Sequence, residues 1–349
     1  MSPSRRQFIT LTAAAVTVAA CSPPDNNSPA TSASGPVPDK PSKAVTLNVL
    51  DVAGNLQLTQ PMIDDFVAKN GGVIERVTYT KATAPELVGK IKAQQAANRV
   101  DIDLVLTGVD GLAAGIDQQL WVDLLPAYAS RLSGMNNYLA GAAAMQKLAG
   151  NAGVTVTYYP SGPLIEYLPA KVPSPPKNAA DLLAYAKANP GAVQYARPSN
   201  SGPGRTLLMG LPYLLGDSDP KDPVNGWAKT WDYLKQLGES ITLYPSSTSE
   251  TMKNLANGSA KIIASTTGWD INPRVLGTVP KEAQIGTLNG FHWVTDAHYA
   301  VVPKGVSTDK QSAVLNLLAS MLTPEQQAKA YDKGYFFPGP AVDGLSLIH

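Results

Sequence analysis

Thr46-Leu47-Asn48-Val49-Leu50-Asp51-Val52-Ala53-Gly54-Asn55 decides the fold. Thr46 to Val52 is apolar and β-branched, as a strand requires, and Gly54-Asn55 breaks it before a helical stretch carrying Met62, Ile63, Phe66 and Val67. Val73 to Tyr79 reads as a second strand. Thr83-Ala84-Pro85-Glu86 has the spacing of a capping box and opens a helix over Leu87 to Ala97. Asp103 to Leu106 is a third strand, ended by Thr107-Gly108, and Asp110 starts the next helix. Strand and helix in alternation imply an α/β protein with a mainly parallel sheet flanked by helices. In such sheets ligands sit beyond the carboxyl ends of the strands, here Asp51 to Asn55, Thr80-Lys81 and Thr107 to Asp110.

A second unit follows the same alternation. Val154 to Tyr159 reads as a strand ending at Pro160-Ser161-Gly162-Pro163, Ala179 to Ala188 as a helix and Ala192 to Arg197 as a short strand. Ser199-Asn200-Ser201-Gly202-Pro203-Gly204 then leads into a helix over Arg205 to Leu215. Trp227 to Leu237 is an amphipathic helix, Ile241 to Tyr244 a strand, and a helix around Thr251 to Ala256 is C-capped by Asn257-Gly258. The strand Ala260 to Ser265 ends at Thr266-Thr267-Gly268-Trp269-Asp270. Phe291 to Pro303 is extended again. Two capped helices come last, one over Thr308 to Leu322 and one opening at Thr323-Pro324-Glu325-Gln326. There is no internal repeat.

The amino terminus reads as an export address. Ser4-Arg5-Arg6-Gln7-Phe8-Ile9 places twin arginines ahead of the apolar stretch Leu11 to Ala20, the pattern of a Tat signal. Ten apolar residues are too few to span a bilayer. Val18-Ala19-Ala20-Cys21 resembles a lipobox, and Cys21 is the only cysteine in 349 residues. With that thiol assigned to lipid, disulfides and cysteine-metal sites are excluded. Residues 22–44 carry almost no large apolar side chain and read as a disordered tether. Basic and acidic residues number 28 and 27, and no Lys/Arg cluster follows the tether, which argues against nucleic acid as a partner.

Three features together resemble the solute-binding proteins of ABC transporters: the lipoprotein leader with its tether, Leu255-Ala256-Asn257-Gly258-Ser259-Ala260 running into a strand, and Ala300-Val301-Val302-Pro303-Lys304-Gly305 followed by Leu322-Thr323-Pro324-Glu325-Gln326-Gln327 and Gly334-Tyr335-Phe336. Further stretches are similar to the YnjB-like branch, akin to thiamine, polyamine and iron receptors: Ser161 to Ile165, Tyr195 to Thr206, Gly268 to Arg274, Asp296 to Tyr299 and Phe337 to Val342. Members of that branch continue past the Phe337 to Val342 turn, whereas this sequence ends at His349. The resemblance implies a two-lobed periplasmic-binding-protein class II fold. Its lobes would be residues 45–153 with 290–349, and 154–289, hinged by two crossover segments. It also implies a monomer in the periplasm or on the outer face of the cell membrane, lipid-anchored at Cys21. Its partners would be a small-molecule ligand and an ABC permease and ATPase complex, with no cofactor, no metal and no catalysis.

The candidate site follows from the strand ends. Glycines in Ser199 to Gly204 let backbone approach a ligand, the helix start attracts negative charge, and Arg205 could add a charge-assisted bond. The alternative is a Pro/Gly turn with a surface arginine. Tyr158, Tyr159, Trp269, Trp293 and Tyr299, with Asp51, Asp270 and Asp296, could cage an organic cation, although some of these rings belong to the core. Trp121, Trp227 and Trp231 suit packing. The expected ligand contacts are Asn55 and Gly108 on the first lobe, Ser161, Ser201, Gly202, Gly204, Arg205, Thr267, Trp269 and Asp270 on the second, and Asp296, His298 and Tyr299 at the hinge. An organic cation such as thiamine or a polyamine is favoured narrowly, and a ligand carrying both charges would satisfy the glycine loop as well. His292, His298 and His349 have no HExxH spacing and no Gly-x-Ser-x-Gly elbow is present, which disfavours an enzyme on the same fold. An iron receptor using Tyr158, Tyr159, Asp296 and Tyr299 stays open.

Overall fold

The computed structural model describes residues 35–52, 54–332 and 337–338. The Tat motif, Cys21, residues 22–34 of the tether and the stretch Gly334-Tyr335-Phe336 lie outside the described residues, as does the end of the Phe337 to Val342 turn. In chain order the elements are β1 (Val45–Asp51), α1 (Leu56–Lys69), β2 (Ile74–Lys81), α2 (Ala84–Ala96), β3 (Leu104–Thr107), α3 (Val109–Asp117), α4 (Ala140–Ala149), β4 (Gly153–Gly162), β5 (Leu164–Tyr167), α5 (Ala179–Ala188) and β6 (Val193–Gln194). They continue as α6 (Gly202–Leu215), α7 (Ala228–Gly238), α8 (Thr248–Asn257), β7 (Ile262–Ser265), α9 (Asn272–Val275), β8 (Gln284–Gly286), β9 (Val294–Val301), α10 (Thr308–Met321), α11 (Pro324–Asp332) and β10 (Phe337–Pro338). A 3-10 turn, Ala129–Asn137, precedes α4 and another, Pro198–Asn200, precedes α6.

The strands form two sheets, β10-β4-β9-β3-β1-β2 and β6-β7-β5-β8. In the first, β1 pairs in parallel with β2 and β3, so all three point their carboxyl ends the same way. Side chains alternate between faces with the period of a strand. Leu47, Val49, Leu104 and Leu106 pack in one buried cluster with Met62 and Ile63 of α1 and Leu317 and Leu318 of α10. Leu50 and Val105 pack on the other side with Leu87 and Ile91 of α2, Leu112 of α3 and Met145 of α4. Each face is therefore covered by helices, as a sheet with near-continuous apolar strands requires. The capping box forms as the spacing predicts: Glu86 Oε2 accepts the Thr83 backbone N–H at 2.8 Å, fixing where α2 begins.

Three expectations need correction. Val154 to Tyr159 does not open the second unit. It belongs to β4, whose residues are buried along most of their length because the strand is central, lying between β9 and β10. The chain crosses to the second sheet only at Pro163, between β4 and β5, and returns between β8 and β9. Ile241 to Tyr244 is not a strand, since only isolated backbone bonds such as Arg197 N–H to the Pro245 carbonyl (3.0 Å) hold that segment. The last part of the expected tether is docked. Val37 is buried, Arg131 donates to the Pro38 and Asp39 carbonyls at 2.9 and 3.0 Å, and Ser42 N–H donates to Asp309 at 3.0 Å. Two backbone carbonyls, one N–H and a single valine suffice here because the body supplies both the Arg131 donors and the Asp309 acceptor.

Among the described residues no helix is long and apolar enough to cross a membrane. Trp121 is buried and donates to the Leu112 carbonyl at 3.2 Å, the packing role its position suggested. Trp227 packs likewise, with Trp231 against it at a ring separation of 5.5 Å.

Candidate functional site

A cavity of about 260 Å³ opens where the carboxyl ends of β1, β2 and β3 meet residues of the second sheet's layer. Gly54, Lys81, Thr83, Gly108 and Asp110 line its first rim, and each lies at or beside the start of α1, α2 or α3. Ser199 to Gly202 and Arg205, at the start of α6, line the opposite rim together with Ser247, Thr248 and Ser249 at the start of α8. Trp269, in the loop after β7, closes it. Gly54 has a φ of +71°, which favours glycine, and a side-chain carbon there would come within 3.6 Å of the Trp269 ring.

Arg205 ties the two rims together. Its guanidinium donates to Asp110 Oδ2 at 2.9 Å and to Asp296 Oδ2 at 2.6 Å. Tyr159 O–H donates to the same Asp296 oxygen at 3.1 Å. Burial pushes the Asp296 carboxyl up, but the Arg205 charge and bond outweigh it and hold the carboxyl below its ordinary range. Burial likewise works against the Arg205 charge, and the two carboxylates more than compensate, so the guanidinium stays charged. Asp51 is buried, and desolvation raises its carboxyl despite bonds from the backbone, among them Asn55 N–H at 2.8 Å.

Of the residues expected from sequence, Gly108, Ser201, Gly202, Arg205, Trp269 and Asp296 line the cavity. The others lie behind it. Asn55 is buried in the first turn leading into α1, and Ser161 Oγ pairs with Thr206 Oγ1 at 2.9 Å. Gly204 backs directly onto the Ala196 carbonyl, so its missing side chain serves close packing of α6. Thr267 donates to the Pro160 carbonyl, and Asp270 pairs with Arg274 at 3.3 Å. His298 and Tyr299 do not line the cleft: they sit on a strand buried on both faces. Desolvation lowers the His298 imidazole to about 4, leaving it neutral, and Tyr299 O–H donates to the Met145 carbonyl at 3.0 Å in the core. Of the expected rings only Trp269 and Tyr159 reach the cavity, since Trp293 is half exposed and packs edge-on against Phe291. Sequence reasoning missed Ser247 to Ser249 as a contact. The signal was present, because Ser247 and Glu250 have N-cap spacing, and Ser247 Oγ accepts Glu250 N–H at 3.3 Å. Among the described residues no three His, Cys, Asp or Glu side chains come together as a metal ion would need.

Two helix-flanked sheets that meet at a cleft, linked by two crossings, define the periplasmic-binding-protein fold. The chain belongs to the bacterial extracellular solute-binding protein family, whose model matches residues 61–346. Among solved structures it is similar to AfuA from Actinobacillus pleuropneumoniae with fructose-6-phosphate bound, at 16% identity over 86% of this chain and 89% of that one, with a TM-score of 0.66. It is similar to the spermidine/putrescine ABC transporter substrate-binding protein PotD from Streptococcus pneumoniae at 18% identity over 85% and 84%, TM-score 0.61. It is also similar to the Atu4243-GABA receptor at 21% identity over 85% and 83%, TM-score 0.63. At these identities the likeness is one of fold. No curated protein matches the sequence.

Proposed function

We propose that this protein is the substrate-binding component of an ABC importer, a binding protein and not an enzyme, which captures a small solute in the cleft and delivers it to the permease and ATPase. The observation that carries this reading is a cavity walled from both sheets, with a ring face, rim hydroxyls and helix starts converging on it. Residues up to about 162 together with those from 294 onward would form one lobe and the intervening residues the other. Membership of the YnjB-like branch rests on Ser161 to Ile165, Tyr195 to Thr206, Gly268 to Arg274, Asp296 to Tyr299 and Phe337 to Val342, of which the second, third and fourth carry residues lining the cleft.

Capture is tested by native mass spectrometry of protein purified without refolding, with the retained solute then used for titration. Burying the solute's apolar surface against the Trp269 ring contributes about 2 kcal/mol, which is roughly 30-fold in affinity. Trp269→Ala should weaken binding of that solute by at least this factor while the circular dichroism spectrum is kept. Undiminished affinity in this variant would sink the assignment of the cleft.

Tat export and a lipid at Cys21 would hold the receptor monomeric at the periplasmic or outer face of the membrane. Cys21→Ser should then move the protein from the membrane fraction to the soluble one. Unchanged attachment would remove the anchor from this account.

A further inference from the structure

The charges around the cleft are almost all engaged with one another. Asp51 turns its carboxylate onto the backbone N–H groups leading into α1, with Asn55 N–H at 2.8 Å and Gly54 and Leu56 also bonding it. Asp110 and Asp296 share Arg205. A cationic solute would have to compete with the protein's own donors for each of these acids, and Arg205 is held by two carboxylates.

Lys81 is different. It lines the cavity at the end of β2 and forms no ion pair among the described residues; its ladder neighbour Asp51 lies beyond ion-pair distance, yet near enough for the Lys81 charge to pull that carboxyl down against desolvation. The second rim is rich in donors. The first N–H groups of a helix have no partner within it. In α6, Pro203 has none to offer and Gly204 N–H is taken by Ser201 Oγ at 3.2 Å, which leaves Gly202 N–H. In α8, Glu250 N–H is capped by Ser247, which leaves Thr248 and Ser249. Ser199 and Ser249 line the same cavity, with the Ser199 hydroxyl donated to Asn200 Oδ1 at 3.2 Å. Glu250, the acid in the first turn of α8, is half-buried and engaged by Ser246 N–H and Oγ at 2.7 and 2.8 Å.

We propose, resting on the receptor reading, that the solute carries an oxyanion, a carboxylate or a phosphate group, held by Lys81 and by the donors at the starts of α6 and α8, with the remainder of the solute against the Trp269 ring. An oxyanion uses backbone donors that the helices leave over and a cation that no ion pair holds, and this cleft supplies both. The organic cation favoured by residue counting would instead compete with the partners that each acid already has.

The test uses purified protein dialysed free of retained solute and titrated at constant ionic strength with inorganic phosphate, succinate and 1,4-diaminobutane. Tryptophan fluorescence and thermal denaturation report binding. Phosphate or succinate should bind saturably, and which of the two does so distinguishes a phosphate-bearing from a carboxylate-bearing solute. Lys81→Met should raise the Kd at least tenfold, and Lys81→Arg should keep it within threefold of the wild type. Lys81 is exposed, so neither variant endangers folding. Failure of both acids to bind saturably, binding unchanged in Lys81→Met, or saturation by 1,4-diaminobutane alone would each overturn the proposal. Any of those results, with a solute still found by mass spectrometry, would leave the receptor reading standing.

Discussion

Arg205→Met should destabilise the protein by about 3–5 kcal/mol, the range seen when one partner of a buried ion pair is removed. The loss falls on Asp296, whose side chain is only 6% exposed and whose oxygen receives the guanidinium at 2.6 Å. Without Arg205, burial is opposed only by weaker partners, and the carboxylate must either take a proton or stay charged in a poor solvent. Asp110 behaves differently, since its side chain is 29% exposed and water can replace the guanidinium. Asp110→Asn should cost about 1 kcal/mol or less. Urea denaturation of the two variants measures the asymmetry. The double variant Arg205→Met/Asp296→Asn should recover much of the loss, because the buried charge goes with its partner. Equal and small effects for Arg205→Met and Asp110→Asn would show that Asp296 is solvated and that the network across the cleft does not form as described.

Glu166→Gln should free the protein from a loss of stability as the pH rises from 4.5 to about 8. Glu166 lies on β5, fully buried, with Oε2 accepting from Ser265 Oγ at 2.8 Å. Desolvation raises its carboxyl from 4.5 to about 8, with the Asp270 charge adding to the rise and Ser265 and Arg274 opposing it. Below pH 4.5 the group is protonated folded or unfolded, and its contribution is fully present. Between 4.5 and 8 the unfolded chain ionises while the folded chain keeps its proton. Stability therefore falls by roughly 1.4 kcal/mol per pH unit until the folded group also ionises. Wild type and Glu166→Gln should melt within a degree or two of each other at pH 5. At pH 8 the glutamine variant should be the more stable by about 2 kcal/mol or more. Parallel melting curves across that range would mean that water reaches Glu166.

What the sequence made legible was local. The alternation of Leu47, Val49 and Leu50, the box at Thr83 and Glu86 and the glycine loop at 201–204 each carry their own conformation within a few residues. What it hid was set at a distance. The run Val154 to Tyr159 reads as a strand anywhere, but its sheet is decided by pairing with β9, whose residues lie more than 130 positions away. Tyr299 and His298 look like hinge residues until both neighbours of their strand are known, and burial then follows from being flanked by β3 and β4. Counting acids and rings near strand ends leaves their partners unseen for the same reason. The count shows which groups are nearby, but not that Asp51 serves α1 or that Asp110 and Asp296 share an arginine.

The pairing of β4 with β9 also has a mechanical side. The pairing runs from Gly153 opposite Val301 to Gly162 opposite Val294, with register shifts at Thr155/Thr157 and Pro160/Gly162, so the two connections leave the first sheet side by side as a paired ribbon. A two-stranded ribbon resists shear along its length, because sliding breaks every bond in the ladder at once, and bending is the softer deformation. Compliance is then concentrated in the few peptide units just beyond the ladder, around Pro163 on one strand and Phe291 to Trp293 on the other. Two anchor points held side by side define an axis. A body moving on them would swing about that axis in a single degree of freedom, and each return to the first sheet would bring Trp269 back over Gly54 in the same register.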